Sequence, residues 1–592
     1  MNNKKQSYNL QLEQEVNYKQ GLMLVLKYVR PHTRSFVLVS IFLLIATIIG
    51  SSILPLLTKR AIDVNIVNED TQGLITTSAI FVGFAILNII FSYLRIFITG
   101  KISQEILFNI RRDIFTKIQT LPSKFFSENK SGDIIQRLTG NVDGINNFFS
   151  EGLIRILGIF FTVVIVLISI FLQNWVVGLI ALTGGILMIF FIFLQGKILE
   201  KPIAESLKKE SAMSAYVQES LDGFVAIQTL NQQKNWIKNF KIKTLDYYNT
   251  IKKVSLVSSL SNSSLTFLTI FSVAFILVFS LNLFSRDIIS IGTVILFLSY
   301  SQDLYRNIGS ISELWRNMKT GIASAERLSD ILALHSDVVD IQNPYSPKTF
   351  NGDIEFIDVD FSYEDGQKVL SDINFKVKRG QYIAIVGPTG GGKTTFVNLI
   401  ARLYDVDNGE ILVDGVPVKQ WNSHTLRKNI GYLIQDVFLF EDTITNNLRY
   451  NNPKVTEKDI LNMFESLGVK SMIDSLPKGL DTIISSEGKN LSAGQKQIVA
   501  LTRVLLRNPK VLILDEATAR IDTKSERMLQ AAIEKASVGR TTFVIAHRLS
   551  TIFNADNILL IKENTILEKG THKELLAKKG LYWEMYYHST NK

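Results

Sequence analysis

Long apolar runs without an internal charge crowd the first half of this 592-residue chain, and they restrict its fold more than any other feature. A helix needs roughly 20 apolar residues to span a bilayer. Five runs reach or approach that length. A sixth run, residues 288–302, ends before the charged Asp303 and would form a helix of only about 22 Å, shorter than the hydrocarbon core of about 30 Å. The sequence therefore predicts a helical membrane domain, in which hydropathy alone does not qualify the sixth run.

The charges between the apolar runs decide how many of them cross the membrane. Residues 95–152 carry eight Lys and Arg residues and residues 197–253 carry ten, whereas the opposite loops carry only Lys59, Arg60 and Arg286. The positive-inside rule places both long loops, the N-terminus and the second half in the cytoplasm. A cytoplasmic C-terminus requires an even number, so we predict six spans. They lie at about 35–57, 74–94, 153–173, 175–194, 263–285 and 288–305.

The basic excess and the missing cysteines limit the partners and the chemistry. The net charge of +10 is placed largely in loops between apolar runs, which favours anionic lipid rather than nucleic acid. The absence of cysteine excludes disulfides, thiolate metal sites and cysteine nucleophiles. The polar N-terminus resembles neither a signal peptide nor a transit peptide.

Four segments follow from these patterns. We expect a cytoplasmic N-terminus with an elbow helix at 1–34 and a transmembrane domain at 35–334, whose long basic loops continue the membrane helices into the cytoplasm. A linker with two prolines follows at 335–352, and a second domain occupies 353–592.

The second half contains GPTGGGKT (387–394) directly after the apolar run YIAIV (382–386). A strand, then G-x-x-x-x-G-K-[ST], then a helix is the pattern of a phosphate-binding loop. Its glycines let backbone N–H groups approach phosphates, Lys393 can reach the β and γ oxygens, and Thr394 can hold Mg²⁺. The predicted phosphate-binding residues are Gly387, Pro388, Thr389, Gly390, Gly391, Gly392, Lys393, Thr394 and Thr395.

Two further apolar runs, VLILDEAT (511–518) and TTFVIAH (541–547), end in polar residues. Uninterrupted apolar strands belong inside a parallel sheet, and ligands bind at the carboxyl ends of such strands. We expect Asp515 to hold the Mg²⁺ shell and Glu516 to orient or deprotonate the attacking water. His547 would end a strand of the same sheet beside the γ-phosphate, although one histidine after a strand is usually incidental.

The stretch LSAGQ (491–495) precedes an apolar-periodic helix predicted at 492–507. Ser492 and Gln495 have the S-x-x-Q spacing of a capping box. A helix N-terminus with Gly494 nearby is suited to anions, so the chain carries a second candidate phosphate site besides its phosphate loop.

These motifs resemble, in order and spacing, those of the ATP-binding cassette (ABC) family, and LSAGQ is similar to its signature segment. Six spans plus one cassette resemble an exporter-type half-transporter of the bacterial multidrug and lipid-export group. The resemblance implies an α-helical membrane domain fused to an α/β P-loop NTPase domain of the ABC type. It also implies two cassettes that enclose two ATP molecules head to tail, so that Ser492, Gly494 and Gln495 would contact the partner's ATP.

The resemblance implies further roles at the nucleotide site. Tyr363 would stack on adenine, and Gln435 would link the γ-phosphate and Mg²⁺ to the membrane domain. His547 matches the switch histidine, and Asp522 matches the aspartate of the loop that crosses the dimer interface.

Two cytoplasmic segments resemble the coupling helices with which such membrane domains dock on cassettes. One is LPSKFF, inside the segment 121–133, whose Pro, Gly and Ser residues predict a helical hairpin tip. The other is DGFVAIQTL (222–230). For the first tip, a solvated loop is the alternative to a docking site.

This sequence departs from the family pattern at the signature and at the interface loop. The usual LSGGQ has Ala493 at its third position here, and the usual SALD is Ala519, Arg520, Ile521 and Asp522. In heterodimeric exporters, the chain with the catalytic glutamate carries an altered signature. With Glu516 intact, this chain resembles that subunit. We therefore favour a heterodimer with a second ABC half-transporter, and a homodimer that tolerates alanine is the alternative.

The leading hypothesis is an ATP-hydrolysing exporter of hydrophobic or amphipathic compounds that works by alternating access, in a bacterial plasma membrane with both termini cytoplasmic. Export of lipid or lipid-linked compounds is the alternative, and an ATP-gated channel is a remote one. A soluble DNA-repair cassette ATPase conflicts with six spans. A peptide-processing exporter would need a cysteine protease domain, which a chain without cysteine does not have.

Overall fold

The computed structural model describes residues 8, 17–363, 367–450, 452–515, 523–546 and 552–590. The chain divides into two compact units. The membrane unit comprises Leu12–Gln119 and Ser131–Leu334, and the cassette unit comprises Met1–Gln11, Thr120–Lys130 and His335–Lys592. Most of the predicted hairpin tip therefore belongs to the cassette unit, which resumes where the predicted linker begins.

The membrane unit is built from helices that alternate between short segments and three very long ones. In chain order, the helices of the first 334 residues are α1 (Tyr18–Val29), α2 (Thr33–Ile48), α3 (Leu54–Arg60), α4 (Thr71–Gln119), α5 (Ser123–Glu128, in the cassette unit), α6 (Ser131–Leu138), α7 (Gly140–Asn147), α8 (Ile154–Gln173), α9 (Trp175–Asp222), α10 (Phe224–Thr229), α11 (Gln233–Ser285), α12 (Ile291–Gly309) and α13 (Ile311–Ala333). The 49, 48 and 53 residues of α4, α9 and α11 each join an apolar span to a basic segment. The predicted extension of the membrane helices is confirmed.

Within the described part of the chain, five helical segments are long and apolar enough to cross a membrane. The first joins α1 to α2 through a 3-10 turn at Arg30–His32 and α2 to α3 through a π-helical turn at Ile49–Ile53, and it ends in a second π-helical turn at Ala61–Ile66. The five segments are Tyr18–Ile66, Thr71–Gln119, Ile154–Gln173, Trp175–Asp222 and Gln233–Ser285. They contain the first five predicted spans.

The doubtful sixth run forms α12, a 19-residue helix that contacts α3, α8, α9 and α11. At 1.5 Å per residue, it is about 28 Å long, close to the thickness of the hydrocarbon core. Its low hydropathy has a structural reason, because Asp303 accepts a hydrogen bond from Ser51 at 2.8 Å and forms an ion pair with Arg306. Polar partners inside the bundle lower the cost of a charge at this depth.

The cassette unit contains two sheets. Its strands are β1 (Ile354–Ser362), β2 (Lys368–Val377), β3 (Tyr382–Val386), β4 (Asn408–Val413), β5 (Val416–Pro417), β6 (Ile430–Leu433), β7 (Val511–Asp515), β8 (Thr541–Ile545), β9 (Asn557–Lys562) and β10 (Thr565–Gly570). The larger sheet has the order β10-β9-β3-β8-β7-β6, parallel except for β10. The smaller sheet, β2-β1-β4-β5, is antiparallel. The predicted strands at 382–386, 511–515 and 541–545 are thus neighbours in one sheet.

Helices cover the larger sheet and bury its apolar strands. The helices of the cassette half are α14 (Lys393–Ile400), α15 (Ser423–Asn429), α16 (Ile444–Arg449), α17 (Glu457–Leu467), α18 (Lys470–Asp474), α19 (Ala493–Leu505), α20 (Thr523–Ser537), α21 (His572–Lys578) and α22 (Leu581–Thr590). All five residues of β7 and all five of β8 are buried. Uninterrupted apolar strands of this kind need cover on both faces, which explains their place inside the sheet.

A buried arginine fixes the linker on the cassette unit. Arg402 is 1% exposed and donates hydrogen bonds to Asp340 at 3.0 Å and to the Val339 carbonyl oxygen at 3.0 Å. Burial would raise the pKa of Asp340, but hydrogen bonds from Ser423 and the charge of Arg402 hold that pKa below its usual range. The predicted linker is therefore bound to the cassette unit at residues 339–340.

Candidate functional site

The carboxyl ends of the central strands form a line across the larger sheet. In the register of the parallel pairs, Asp515 lies opposite Ile545, and Ile545 lies opposite Ile385. Neighbouring strands are about 4.8 Å apart, so the end of β7 lies roughly 10 Å from the end of β3. The loop that begins at Gly387 and the carboxylate of Asp515 therefore share one edge, where ligands of parallel sheets bind.

The loop after β3 has a backbone that requires glycine. Gly387 has φ +150°, and a Cβ atom there would lie 2.1 Å from the carbonyl oxygen of Ile561. Gly392, with φ +93°, precedes α14, and its Cβ would lie 2.9 Å from the Val369 carbonyl oxygen. Gly390 has φ +81° but open space around its Cβ position. The backbone is thus held in a tight cradle at the N-terminus of α14, as the sequence motif predicts.

The polar side chains of the loop suit a phosphate group and a hard cation. Lys393 is 6% exposed, and its ammonium group donates hydrogen bonds to the carbonyl oxygens of Gly387 at 3.0 Å and Pro388 at 2.9 Å. Thr394 follows with an exposed side chain. An ammonium group folded over the loop and a hydroxyl beside it form a donor set that fits a triphosphate with Mg²⁺.

Asp515 ends β7 next to the edge strand β6 and is only 6% exposed. Burial raises the pKa of Tyr432 in β6, and the negative charge of Asp515 adds to that rise. The Tyr432 hydroxyl donates to the Asn398 side-chain oxygen at 2.8 Å and so links β6 to α14. Gln435 follows β6 by two residues with an exposed side chain, at the same edge of the sheet.

Tyr363 follows β1 and is tied to the phosphate loop. Its hydroxyl shares a hydrogen bond of 2.9 Å with Thr395. Its ring meets those of Phe361 and Tyr404 edge-on, with centroids 5.0 and 5.2 Å away. The ring is half-buried, so the structure places the predicted adenine-stacking residue beside the loop.

The LSAGQ stretch forms the predicted helix start. Ser492 accepts a hydrogen bond from the Gln495 backbone N–H at 3.2 Å, and the Gln495 side chain accepts one from the Ser492 backbone at 2.8 Å. This capping box precedes α19. Gly494 is buried, whereas the Ala493 side chain is exposed. The methyl group of Ala493 is therefore not packed within this chain.

Three predicted residues, Glu516, Asp522 and His547, lie outside the described residues. Glu516 follows the last residue of β7 directly, and His547 is two residues beyond β8. The strands that lead to both are confirmed as neighbours in the sheet. No group of three or more His, Cys, Asp or Glu side chains able to hold a metal occurs among the described residues.

Sequence reasoning missed the interaction between the hairpin tip and Tyr404, which lies next to Tyr363. Burial raises the pKa of Tyr404, the neighbouring Tyr363 adds to that rise, and a side-chain hydrogen bond with Ser127 opposes it. Within the tip, Phe125 is fully buried and Leu121 is 7% exposed. The FF pair is a signal for burial that holds for Phe125 only, since Phe126 is 47% exposed, and Tyr404 carries no motif of its own.

Comparisons with known proteins agree with this architecture. Residues 37–307 match the family described as ABC transporter transmembrane region, and residues 370–519 match the one described as ABC transporter. The uncharacterized ABC transporter ATP-binding protein YfiC of Bacillus subtilis (strain 168) is 33% identical, covering 96% of this chain and 94% of that protein. The chain belongs to the ABC transporter family.

Two further comparisons agree with this assignment. An ATP-dependent lipid A-core flippase of Syntrophus aciditrophicus (strain SB) is 31% identical over 95% of this chain and 93% of its own. The structure of a bacterial Atm1-family ABC exporter with ATP bound has a TM-score of 0.81, covers 95% of this chain and 98% of its own, and is 23% identical. This ABC exporter is thus a multi-pass membrane ATPase that uses ATP with Mg²⁺.

Gly387 and Gly390 allow a matched test of the cradle, because only a Cβ atom at Gly387 would collide with a neighbouring atom. Gly387→Ala forces a Cβ against the Ile561 carbonyl oxygen, and overpacking of this kind costs about 1–3 kcal/mol. We expect it to weaken binding of a fluorescent ATP analogue to the purified exporter by about tenfold or more. Gly390→Ala, which meets only the cost of a positive φ, should weaken binding clearly less. Equal losses in the two variants would contradict the assignment.

Proposed function

We propose that this ABC exporter moves hydrophobic or amphipathic compounds out of the cytoplasm or the inner leaflet by alternating access. The observation that carries the proposal is that the hairpin tip, residues 120–130, belongs to the cassette unit, with Phe125 fully buried and Ser127 facing Tyr404. The chain enters this tip from α4 and leaves it into α6. Tyr404 also contacts the ring of Tyr363, which shares a hydrogen bond with Thr395 beside the phosphate loop. Binding energy at that loop can then favour one state of the membrane helices over another.

The roles of the nucleotide-site residues belong to the same proposal. Backbone N–H groups of residues 387–395, apart from Pro388, and the Lys393 ammonium group would bind the triphosphate of ATP, while Thr394 and Asp515 would hold Mg²⁺. Tyr363 would position adenine. A cation held by these residues would supply positive charge next to the phosphates during hydrolysis.

Three further groups would act on the attacking water and on the γ-phosphate. Glu516 would orient the water and accept its proton, and His547 would contact the γ-phosphate. Gln435 lies at the same sheet edge as Asp515 and would contact Mg²⁺ and the γ-phosphate. Asp522 would lie in the loop that faces the partner's cassette.

A second chain completes the proposed working unit. Ser492, Gly494 and Gln495 would contact the ATP that is bound to the partner's phosphate loop, because this chain uses its own loop for its own nucleotide. The second predicted coupling segment, α10, supports the same idea. It leaves apolar side chains exposed in the single chain, with Phe224 at 55%, Val225 at 73% and Leu230 at 69%. A partner's cassette would cover them, in keeping with the burial of the first tip.

We favour a heterodimer because both the signature and the interface loop depart from the family pattern around an intact Glu516. We also propose a bacterial plasma membrane location with both termini in the cytoplasm, since the basic loops follow the positive-inside rule. The exposed faces of the spans are rich in Phe, Ile and Leu.

The nature of the cargo has one serious alternative. A probable multidrug resistance ABC transporter of Bacillus subtilis, YheH, is 30% identical, covering 87% of this chain and 77% of that protein. The lipid A-core flippase relative favours lipid or lipid-linked compounds instead. ATP-driven uptake of a lipophilic dye into inverted vesicles supports the first cargo class, and transfer of a labelled lipid between leaflets without dye transport supports the second. ATP-dependent ion conductance without either would indicate a gated channel.

Replacement of the proposed base tests the coupling of ATP hydrolysis to export. Glu516→Gln should lower ATP turnover by about 10²- to 10⁴-fold, because a neutral amide cannot accept the proton of the attacking water. Dye uptake into inverted vesicles should fall in parallel. Glu465→Gln, an exposed carboxylate in α17, serves as the control and should retain both activities. Unchanged turnover in the Glu516 variant would remove this residue from the proposed site.

The native mass of the complex tests the proposed partner. The chain has a mass of 66.8 kDa. We expect complexes extracted gently from the organism's own membrane to contain one copy of this chain and one copy of a different half-transporter. A mass of two copies would show a homodimer and refute the interpretation of Ala493.

A further inference from the structure

A tyrosine near the N-terminus is buried in the cassette unit, far along the chain from the residues it contacts. Tyr8 is 1% exposed, although it precedes the first membrane helix. Its backbone N–H donates to Glu128 at 2.8 Å, and its carbonyl oxygen accepts from the Asn129 side chain at 2.8 Å. Two backbone groups of one residue are thus paired with the end of the hairpin tip.

The ring of Tyr8 contacts the same tip. It meets Phe125 edge-on at a centroid distance of 6.4 Å, and the ammonium group of Lys124 lies 5.8 Å from the ring centroid. Lys124 also faces Glu128 at 3.6 Å. An aromatic ring enclosed by a second ring and a cation contributes packing and electrostatic attraction together.

The hydroxyl group of Tyr8 reaches the linker. It donates to the carbonyl oxygen of His335 at 2.6 Å and accepts from the backbone N–H of Asp337 at 3.1 Å. Burial and the neighbouring Asp337 raise the pKa of Tyr8, so the phenol keeps the proton that it donates. Arg402 holds the next linker residues, Val339 and Asp340.

The contacts of Tyr8 bring together the tip and the linker. The tip joins the cassette unit to α4 and α6, and the linker joins it to α13. Resting on the proposed export function, we propose that Tyr8 is a positioning residue that clasps the tip to the linker, so that both respond together to the nucleotide site. The residue acts through the 120–130 segment and touches no atom of the nucleotide. Its loss should separate ATP turnover from movement of the membrane helices.

Hydrogen exchange of the full-length exporter in lipid nanodiscs tests the clasp without a known cargo. Tyr8→Ala should raise exchange of residues 120–130 and 335–340 by about tenfold, because their shared contacts are lost. Tyr8→Phe keeps the ring but removes the two hydroxyl contacts, so exchange should rise at 335–340 more than at 120–130. Tyr18→Ala replaces an exposed tyrosine of α1 and should change neither segment.

The functional consequence is measured in the same samples. In the wild type, hydrolysis of ATP in the presence of vanadate, which traps ADP in the site, should change exchange in α4 and α6. In Tyr8→Ala, this change should shrink by about fivefold while basal ATP turnover stays within about twofold. Where dye uptake is observed, dye moved per ATP should fall by a similar factor.

The outcomes separate the clasp from a general loss of structure. Unaltered exchange at 120–130 and 335–340 in Tyr8→Ala would overturn the proposal, and so would a parallel fall of turnover and coupling, which indicates misfolding. If wild-type vesicles move neither dye nor lipid, the proposed export function fails, but the exchange data still decide whether Tyr8 joins the tip to the linker.

Discussion

The burial of the hairpin tip in the cassette unit is the contact on which the rest of this architecture depends. Phe125 is fully buried, and burying such a side chain contributes about 1.5–3 kcal/mol. The tip continues covalently into α4 and α6, so it cannot move without them. Its other side reaches Tyr404, which packs against Tyr363, and Tyr363 shares a hydrogen bond with Thr395 in the phosphate loop. One continuous set of contacts therefore leads from the nucleotide site to the hairpin tip, which is covalently joined to α4 and α6.

Local patterns in the sequence predicted those parts of the structure that local physics determines. The glycines of 387–392 and the apolar strand before them required a tight cradle, and Gly387 shows why, since any Cβ would collide with the backbone of β9. Ser492 and Gln495 form the predicted capping box because both partners lie within one turn. The apolar run of β7 predicted a central strand because only a covered sheet buries every side chain.

Other features rest on contacts between residues that are far apart in the chain, and these left no periodic signal. Hydropathy undervalued α12 because Asp303 is partnered by Ser51, which lies 252 positions away. Tyr8 meets His335 across 327 positions, and its short polar context gave no reason to expect burial. Tyr404 likewise carries no motif. The predicted linker also proved to be bound, since the buried Arg402 holds it by charge and by hydrogen bonds to its backbone.

The central claim is that the tip responds to the nucleotide site. Hydrogen exchange of the wild-type exporter, measured with and without ATP, tests this claim most directly. Glu516→Gln would trap the bound state in a parallel sample. The contacts from Thr395 through Tyr363 and Tyr404 predict that ATP slows exchange in residues 120–130 together with the phosphate loop. Protection of the phosphate loop with unchanged exchange at 120–130 would contradict the account, because the nucleotide would then be bound without any effect on the segment that joins it to the membrane helices.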